Sequence, residues 1–185
     1  KLTNGENDIM IAVKSGKAIR FPESKVRPMG RTASGVRGIW MEDDDEAIGM
    51  VCVEPNNANI LVVSENGFGK RSAIEDYRIT NRGGKGVKTI NMTEKTGNLI
   101  ALIDVTDEDN LMIINRSGLT IRLEVSSLRV MGRNTQGVKL INLRNEDSIA
   151  AVAKVSAAKD EENSEVVAEE ERGEAEPNGQ SEENV

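Results

Sequence analysis

The chain has 185 residues, no histidine, one cysteine, four aromatic residues and a formal net charge of −7. That length suits one moderate domain with a real core, while the missing histidines and the single Cys52 remove most nucleophile–base pairs, zinc sites and disulfide frameworks. The charge is divided: residues 1–155 hold 22 Lys+Arg against 20 Asp+Glu, and residues 156–185 hold 2 against 11, so a mildly basic body carries an acidic tail.

The opening "KLTNGEND" is neither a signal peptide nor an initiation with Met, and reads as the cut end of a cytoplasmic protein fragment. No apolar run is long enough to cross a bilayer. A first strand, "IMIAV", is followed by a Ser15-Gly16 turn, a second strand "AIRFP", a loop, and a third strand "GVRGIWM". The run "MEDDDEAIG" (41–49) comes next, then a fourth strand "AIGMVCVE", in which Cys52 reads as a small core residue.

The same order then recurs twice. "IMIAVKSGKAIRFPESKVRPMGRTASGVRGIWM" (9–41), "ILVVSENGFGKRSAIEDYRITNRGGKGVKTINM" (60–92) and "LMIINRSGLTIRLEVSSLRVMGRNTQGVKLINL" (111–143) align without gaps at an offset of 51. Gly16, Gly67 and Gly118 coincide, as do Gly35, Gly86 and Gly137. Asn66-Gly67 is a strong hairpin signal. A period near 50 with four short strands per unit predicts an all-β, propeller-like fold of about three four-stranded blades, near 5–55, 56–106 and 107–155. Residues 156–185 have no aromatic and dense negative charge, which predicts a disordered tail.

The repeat also disposes of two weak motifs. "GFGKRS" (67–72) resembles a P-loop, but lacks its first glycine and has no helix after it. The carboxylates of "MEDDDEAIG" could bind Mg²⁺ or Ca²⁺, yet the equivalent "MTEKTGNLI" and "LRNEDSI" are plain polar turns, so a solvated loop is the simpler reading. No residue set supports acid–base or covalent catalysis.

Four basic positions recur in every unit: Arg20, Arg71 and Arg122; Arg27, Arg78 and Arg129; Arg31, Arg82 and Arg133; Arg37, Lys88 and Lys139. Side by side, the units would turn these into rows of cations. A solvated surface, with arginines bracing loops, is the bland alternative. The stretches "GRTASGV", "NRGGKGV" and "GRNTQGV" add small residues beside an arginine whose planar fork suits phosphate. Rows of cations suit a long polyanion. Few aromatics and no recognition helix argue against single strands and base reading. Duplex DNA held by its backbone remains, bent and read with little sequence preference.

The three aligned units, above all "SGKAIRFPESKVRPMGRTASGVRGI", "NGFGKRSAIEDYRITNRGGKGV" and "SGLTIRLEVSSLRVMGRNTQGV", resemble the C-terminal domain of the A subunit of DNA gyrase, which is a six-bladed β-pinwheel. The resemblance covers about residues 5–155 and matches the last three blades. It implies DNA wrapped on a basic rim, supporting ATP-dependent negative supercoiling by an A2B2 holoenzyme in the bacterial cytoplasm, with the chromosome. It implies no cofactor in this fragment, Mg and ATP being used elsewhere in the holoenzyme, contact with the gyrase B subunit through the missing N-terminal part, and no membrane. Arg82, Gly83, Gly84, Lys85 and Gly86 match the last five positions of the family's basic box Q-R-R-G-G-K-G. Thr80 and Asn81 replace its first two, so the true box is expected upstream of Lys1. Tyr77 is a blade residue, not the strand-passing tyrosine of another domain. The family also exchanges a strand between neighbouring blades, so a half-ring should expose unpaired edges. Two other readings stay open: the equivalent domain of topoisomerase IV, and a propeller whose arginines grip an acidic protein.

Overall fold

The computed structural model describes residues 1–53, 59–144 and 147–156. The acidic tail beyond Ser156, and with it the expectation of disorder there, lies outside the described residues. Strands β1 (Asp8–Val13), β2 (Lys17–Pro22) and β3 (Ala47–Val53) come from the first unit. The second gives β4 (Asn59–Ser64), β5 (Phe68–Ala73), β6 (Val87–Lys88) and β7 (Leu99–Val105). The third gives β8 (Asp109–Asn115), β9 (Thr120–Glu124), β10 (Val138–Lys139) and β11 (Ile149–Ser156). Three-residue 3-10 turns at Glu23–Lys25, Ile74–Asp76 and Val125–Ser127 follow β2, β5 and β9. The fold is all-β, as the short apolar runs and the 51-residue repeat predict.

The sheets are antiparallel, in the orders β3-β1-β2-β6, β10-β5-β4-β7 and β11-β8-β9. The fourth strand of each of the first two sheets thus comes from the following unit. β6 pairs with β2 through Lys17↔Lys88 and Ala18↔Val87, and β10 pairs with β5 through Val138↔Gly69 and Lys139↔Phe68. Among the described residues the third sheet has three strands rather than the four expected, because no further unit lies along β9. Residues 35–41, expected as a strand, form none; among the described residues no earlier sheet receives them.

The exchanged strands are short, two residues each, so ladder bonds alone hold them weakly. The residues directly after them add more. Thr89 N–H donates to Gly16 O at 2.9 Å and Leu140 N–H to Gly67 O at 2.8 Å. Ile90 and Ile141 then plug the junctions, 0% and 6% exposed. Burying an isoleucine contributes about 2 kcal/mol and each hydrogen bond about 1, so the plug is worth about as much as the short ladder and stabilises the exchange alongside it. One core lies between the first two sheets and is built from Met10, Val51, Val53, Ile60, Val62 and Leu99 with Ile90. A second, between the next two, uses Leu61, Val63, Val105, Leu111, Ile113 and Val125 with Ile141. A third, around Ile9, Ile19, Phe21 and Ile39, lies on the other face of the first sheet, and the half-buried Cys52 packs against it.

The second set of repeat glycines has a steric cause. Gly86 has φ +70° and a Cβ there would stand 2.6 Å from Ala18 O; Gly137 has φ +81° and a Cβ there would stand 2.4 Å from Gly69 O. A side chain would be strained at that φ and would push the exchanged strand off its sheet. Gly35 keeps the same conformation, φ +82°, but has open space around it.

Candidate nucleic-acid interface

The first basic position does not join a surface row. Arg20 is 7% exposed. Its Nε donates to Asp8 Oδ2 at 2.7 Å, its second terminal nitrogen lies 2.6 Å from the same oxygen, and its other donates to Ile74 O and Tyr77 O at 2.7 and 3.2 Å. It ties the first sheet to the 3-10 turn of the second unit. Arg71 is equally buried and pairs with Asp107. The expectation that Arg20 and Arg71 face DNA is therefore corrected: strands covered on both faces leave their mid-strand arginines inside. Arg122, the third member, is exposed.

The third position is a clamp. Arg82 Nε donates to Lys25 O at 3.1 Å and one terminal nitrogen to Arg37 O at 3.2 Å, both in the preceding unit. Arg133 repeats this one unit later, on Asp76 O at 3.1 Å and Lys88 O at 2.9 Å. Both arginines are half-buried. Arg31 is exposed, with no preceding unit among the described residues to grip. Arginine suits this position for a structural reason: one planar fork reaches two carbonyls of a neighbouring unit.

The clamp brings the other positions together. Arg27 lies two residues after Lys25, so the clamp holds the backbone of Arg27 and Arg37 near Arg82 at the first junction. Arg78, two residues after Asp76, and Lys88 are held near Arg133 in the same way at the second. Arg27, Arg37, Arg78, Lys88, Arg129 and Lys139 are all exposed. Arg129 and Lys139 form the matching positions of the third unit, without a following clamp among the described residues.

The loop at 82–86 is zipped to the preceding unit. Gly83 N–H donates to Gly38 O at 2.6 Å and Trp40 N–H to Gly84 O at 2.9 Å. The Arg37 stem passes Gly83, where a Cβ would stand 3.9 Å from its Cδ. Lys85 Nζ sits over the Trp40 ring, 4.9 Å from the centroid, a cation–π contact at an exposed site. Gly86 lets the loop lie flat on its neighbour, Gly83 takes a left-handed φ of +79° beside Arg37, and Lys85 stays at the surface. Tyr77 is buried with its hydroxyl on Thr89 Oγ1; burial raises its pKa.

The acidic run 41–49 is a surface loop tied to its own hairpin. Asp45 accepts from Ser15 N–H and Ser15 Oγ at 3.0 and 2.6 Å, Glu42 pairs with Lys17 and Glu46 with Lys14. Burial, the largest effect, raises the Asp45 pKa; the Ser15 hydrogen bonds, the Glu46 N–H and the Lys17 charge together leave it lowered. Among the described residues no group of three or more acidic, Cys or His side chains could hold a metal ion. Sequence reasoning overlooked Lys70, buried in β5 with Nζ on Gly132 O at 2.7 Å. The signal that could have found it was its repeat position, occupied by Ile19 and Ile121 in the sister units.

The family described as DNA gyrase C-terminal domain, beta-propeller, matches the chain three times, at residues 7–54, 58–106 and 109–156. The DNA gyrase A subunit of Staphylococcus aureus (strain MRSA252) is 47% identical over 164 residues, 88% of this chain and 18% of that protein. The chain therefore spans about a fifth of the length of such relatives. A solved DNA gyrase A C-terminal domain superimposes with a TM-score of 0.75 at 25% identity, over 82% of this chain and 52% of that one. A solved C-terminal domain of DNA topoisomerase IV gives 0.82 at 21% identity, over 92% of this chain and 53% of that one. The latter likeness is one of fold.

Proposed function

The chain belongs to the DNA gyrase C-terminal domain family, and from that premise we infer that it binds duplex DNA by its phosphates, without strong sequence preference, and bends it along the rim. The observation that carries this reading is the recurrence of one composite cation cluster at two successive junctions. Arg27, Arg37 and Arg82 make the first, and Arg78, Lys88 and Arg133 the second. Lys85, Arg129 and Lys139 extend the positive surface. Regular spacing of like clusters suits a regular polyanion better than a single anionic ligand. Arg20 and Arg71 act instead within the body.

In the whole protein this piece would wrap DNA for a strand-passing topoisomerase that supercoils negatively at the expense of ATP. The B subunit, ATP and Mg would act through parts outside this chain, in a bacterial cytoplasm with the chromosome. The 47% identity to a gyrase A subunit favours gyrase over topoisomerase IV. Titrating duplex DNA across salt tests the proposal. With about six phosphates contacted, log K should fall against log salt with a slope near −5. A salt-independent or absent interaction with duplexes of unrelated sequence, alongside tight binding to an acidic protein, would overturn it.

A further inference from the structure

Lys70 is 1% exposed in β5, opposite Val62 of β4, at a position held by Ile19 and Ile121 in the sister units. It reaches out of the second sheet to the loop of the third unit, where its Nζ donates to Gly132 O at 2.7 Å. That carbonyl also accepts from Thr135 N–H and Thr135 Oγ1, at 3.3 and 3.0 Å. In a trans peptide the N–H of the next residue points opposite to the carbonyl. Three donors on Gly132 O therefore direct the Arg133 amide away from Lys70. The Arg133 guanidinium is fixed beside it on Asp76 O and Lys88 O. The two loops also differ in charge. The second unit's loop carries Lys85 on its surface; the third unit has Gln136 there, and its extra ammonium lies underneath.

We propose that Lys70 is a positioning residue for a DNA phosphate at the second junction. Its protonated ammonium fixes the Gly132 loop and adds to the Arg133 charge, so that DNA binding there is coupled to proton uptake. This inference rests on the DNA-binding reading above. Burial is the main effect on Lys70 and opposes its charge; Asp76, from the turn after β5, favours it; Arg133, in the loop above, opposes it; together they push its pKa down to about 8. Tyr77 shares Asp76 and Arg133 as neighbours, but burial raises its pKa further, so it stays neutral across this range. A phosphate on Arg133 offsets the guanidinium repulsion. It raises the Lys70 pKa, and the ammonium gains a proton as DNA binds.

The test uses the intact chain and a mixed-sequence duplex at constant ionic strength. If phosphate raises the Lys70 pKa by about one unit, wild-type affinity falls roughly fivefold from about pH 7 to about pH 9. Lys70→Ile, which installs the sister residue, should lose that part of the pH dependence. Calorimetry in two buffers of different ionisation enthalpy should detect proton uptake near pH 8 by wild type and less by the variant. Parallel pH profiles, or no proton uptake by wild type, overturn the proposal while leaving DNA binding intact. The calorimetric arm decides the matter even if the variant folds poorly. No duplex binding by wild type at any pH overturns the DNA-binding reading itself, and this proposal with it.

Discussion

Replacing Arg82 by alanine removes two bonds that tie the second unit to the first, to Lys25 O and Arg37 O. Hydrogen bonds from a charged donor are worth roughly 1.5–3 kcal/mol each when well shielded; at a half-exposed site about 1 each is a fairer figure, hence about 2 kcal/mol together. With a urea m-value near 2 kcal/mol/M, the unfolding midpoint should drop by about 1 M. Trp40 is the single tryptophan and its N–H bonds Gly84 O in the clamped loop, so its fluorescence reports the loss where it occurs. Arg27→Ala is the counterpart: an exposed cation two residues from the clamp, expected to leave the midpoint unchanged and to reduce the salt slope of DNA binding by about 0.9. An unchanged midpoint for Arg82→Ala, with the slope reduced as for Arg27, would refute the clamp and leave this position with phosphate contact as its only role.

Gly86→Ala should cost about 3 kcal/mol or more, combining left-handed strain with a clash on Ala18 O. Gly35→Ala, strained but in open space, should cost only about 1–2; equal midpoints in urea would argue against strand exchange as the cause. Asp8→Ala should destabilise by about 3–5 kcal/mol because it leaves the Arg20 charge buried and unpaired. Asp107→Ala also leaves a buried guanidinium, that of Arg71, but the Asp107 carboxylate is 71% exposed and screened by water, so it should cost less than Asp8→Ala, about 1–2 kcal/mol in the same assay. Truncation after Ser156 removes a tethered polyanion and should tighten DNA binding at low salt, with a smaller effect at high salt. Equal affinities across that titration would leave the tail only a solubilising role.

The strands were legible because apolar β-branched runs recur in register: "IMIAV", "ILVVS" and "LMIIN" fall within β1, β4 and β8. The partner of the "GVK" segments was not legible from periodicity. Alternation marks a strand but not which sheet it completes, and only the resemblance suggested exchange. The rows of arginines were visible as a repeat, yet their roles divided on burial. Arg20 interrupts the apolar "AIRF", and a strand apolar on both sides of one arginine already hints that both faces are covered. The Arg82 and Arg133 clamps reach main-chain oxygens, which carry no side-chain identity to read. Lys70 was masked by its neighbours: in "GFGKRS" it looks like part of a basic loop, and only comparison with Ile19 and Ile121 marks it as an interior residue.

Completion of a sheet by the unit after it bears on how such an array can change length. A recombination event that adds or removes one full period leaves every sheet that has a following unit capped by a "GVK" segment, wherever within the period the exchange falls. The incoming glycine at the position of Gly86 and Gly137, and the arginine four residues before it, meet main-chain oxygens rather than particular side chains. Units can therefore be shuffled without redesigning their seams. An insertion out of phase with the period has no such tolerance, since it separates a cap from its clamp.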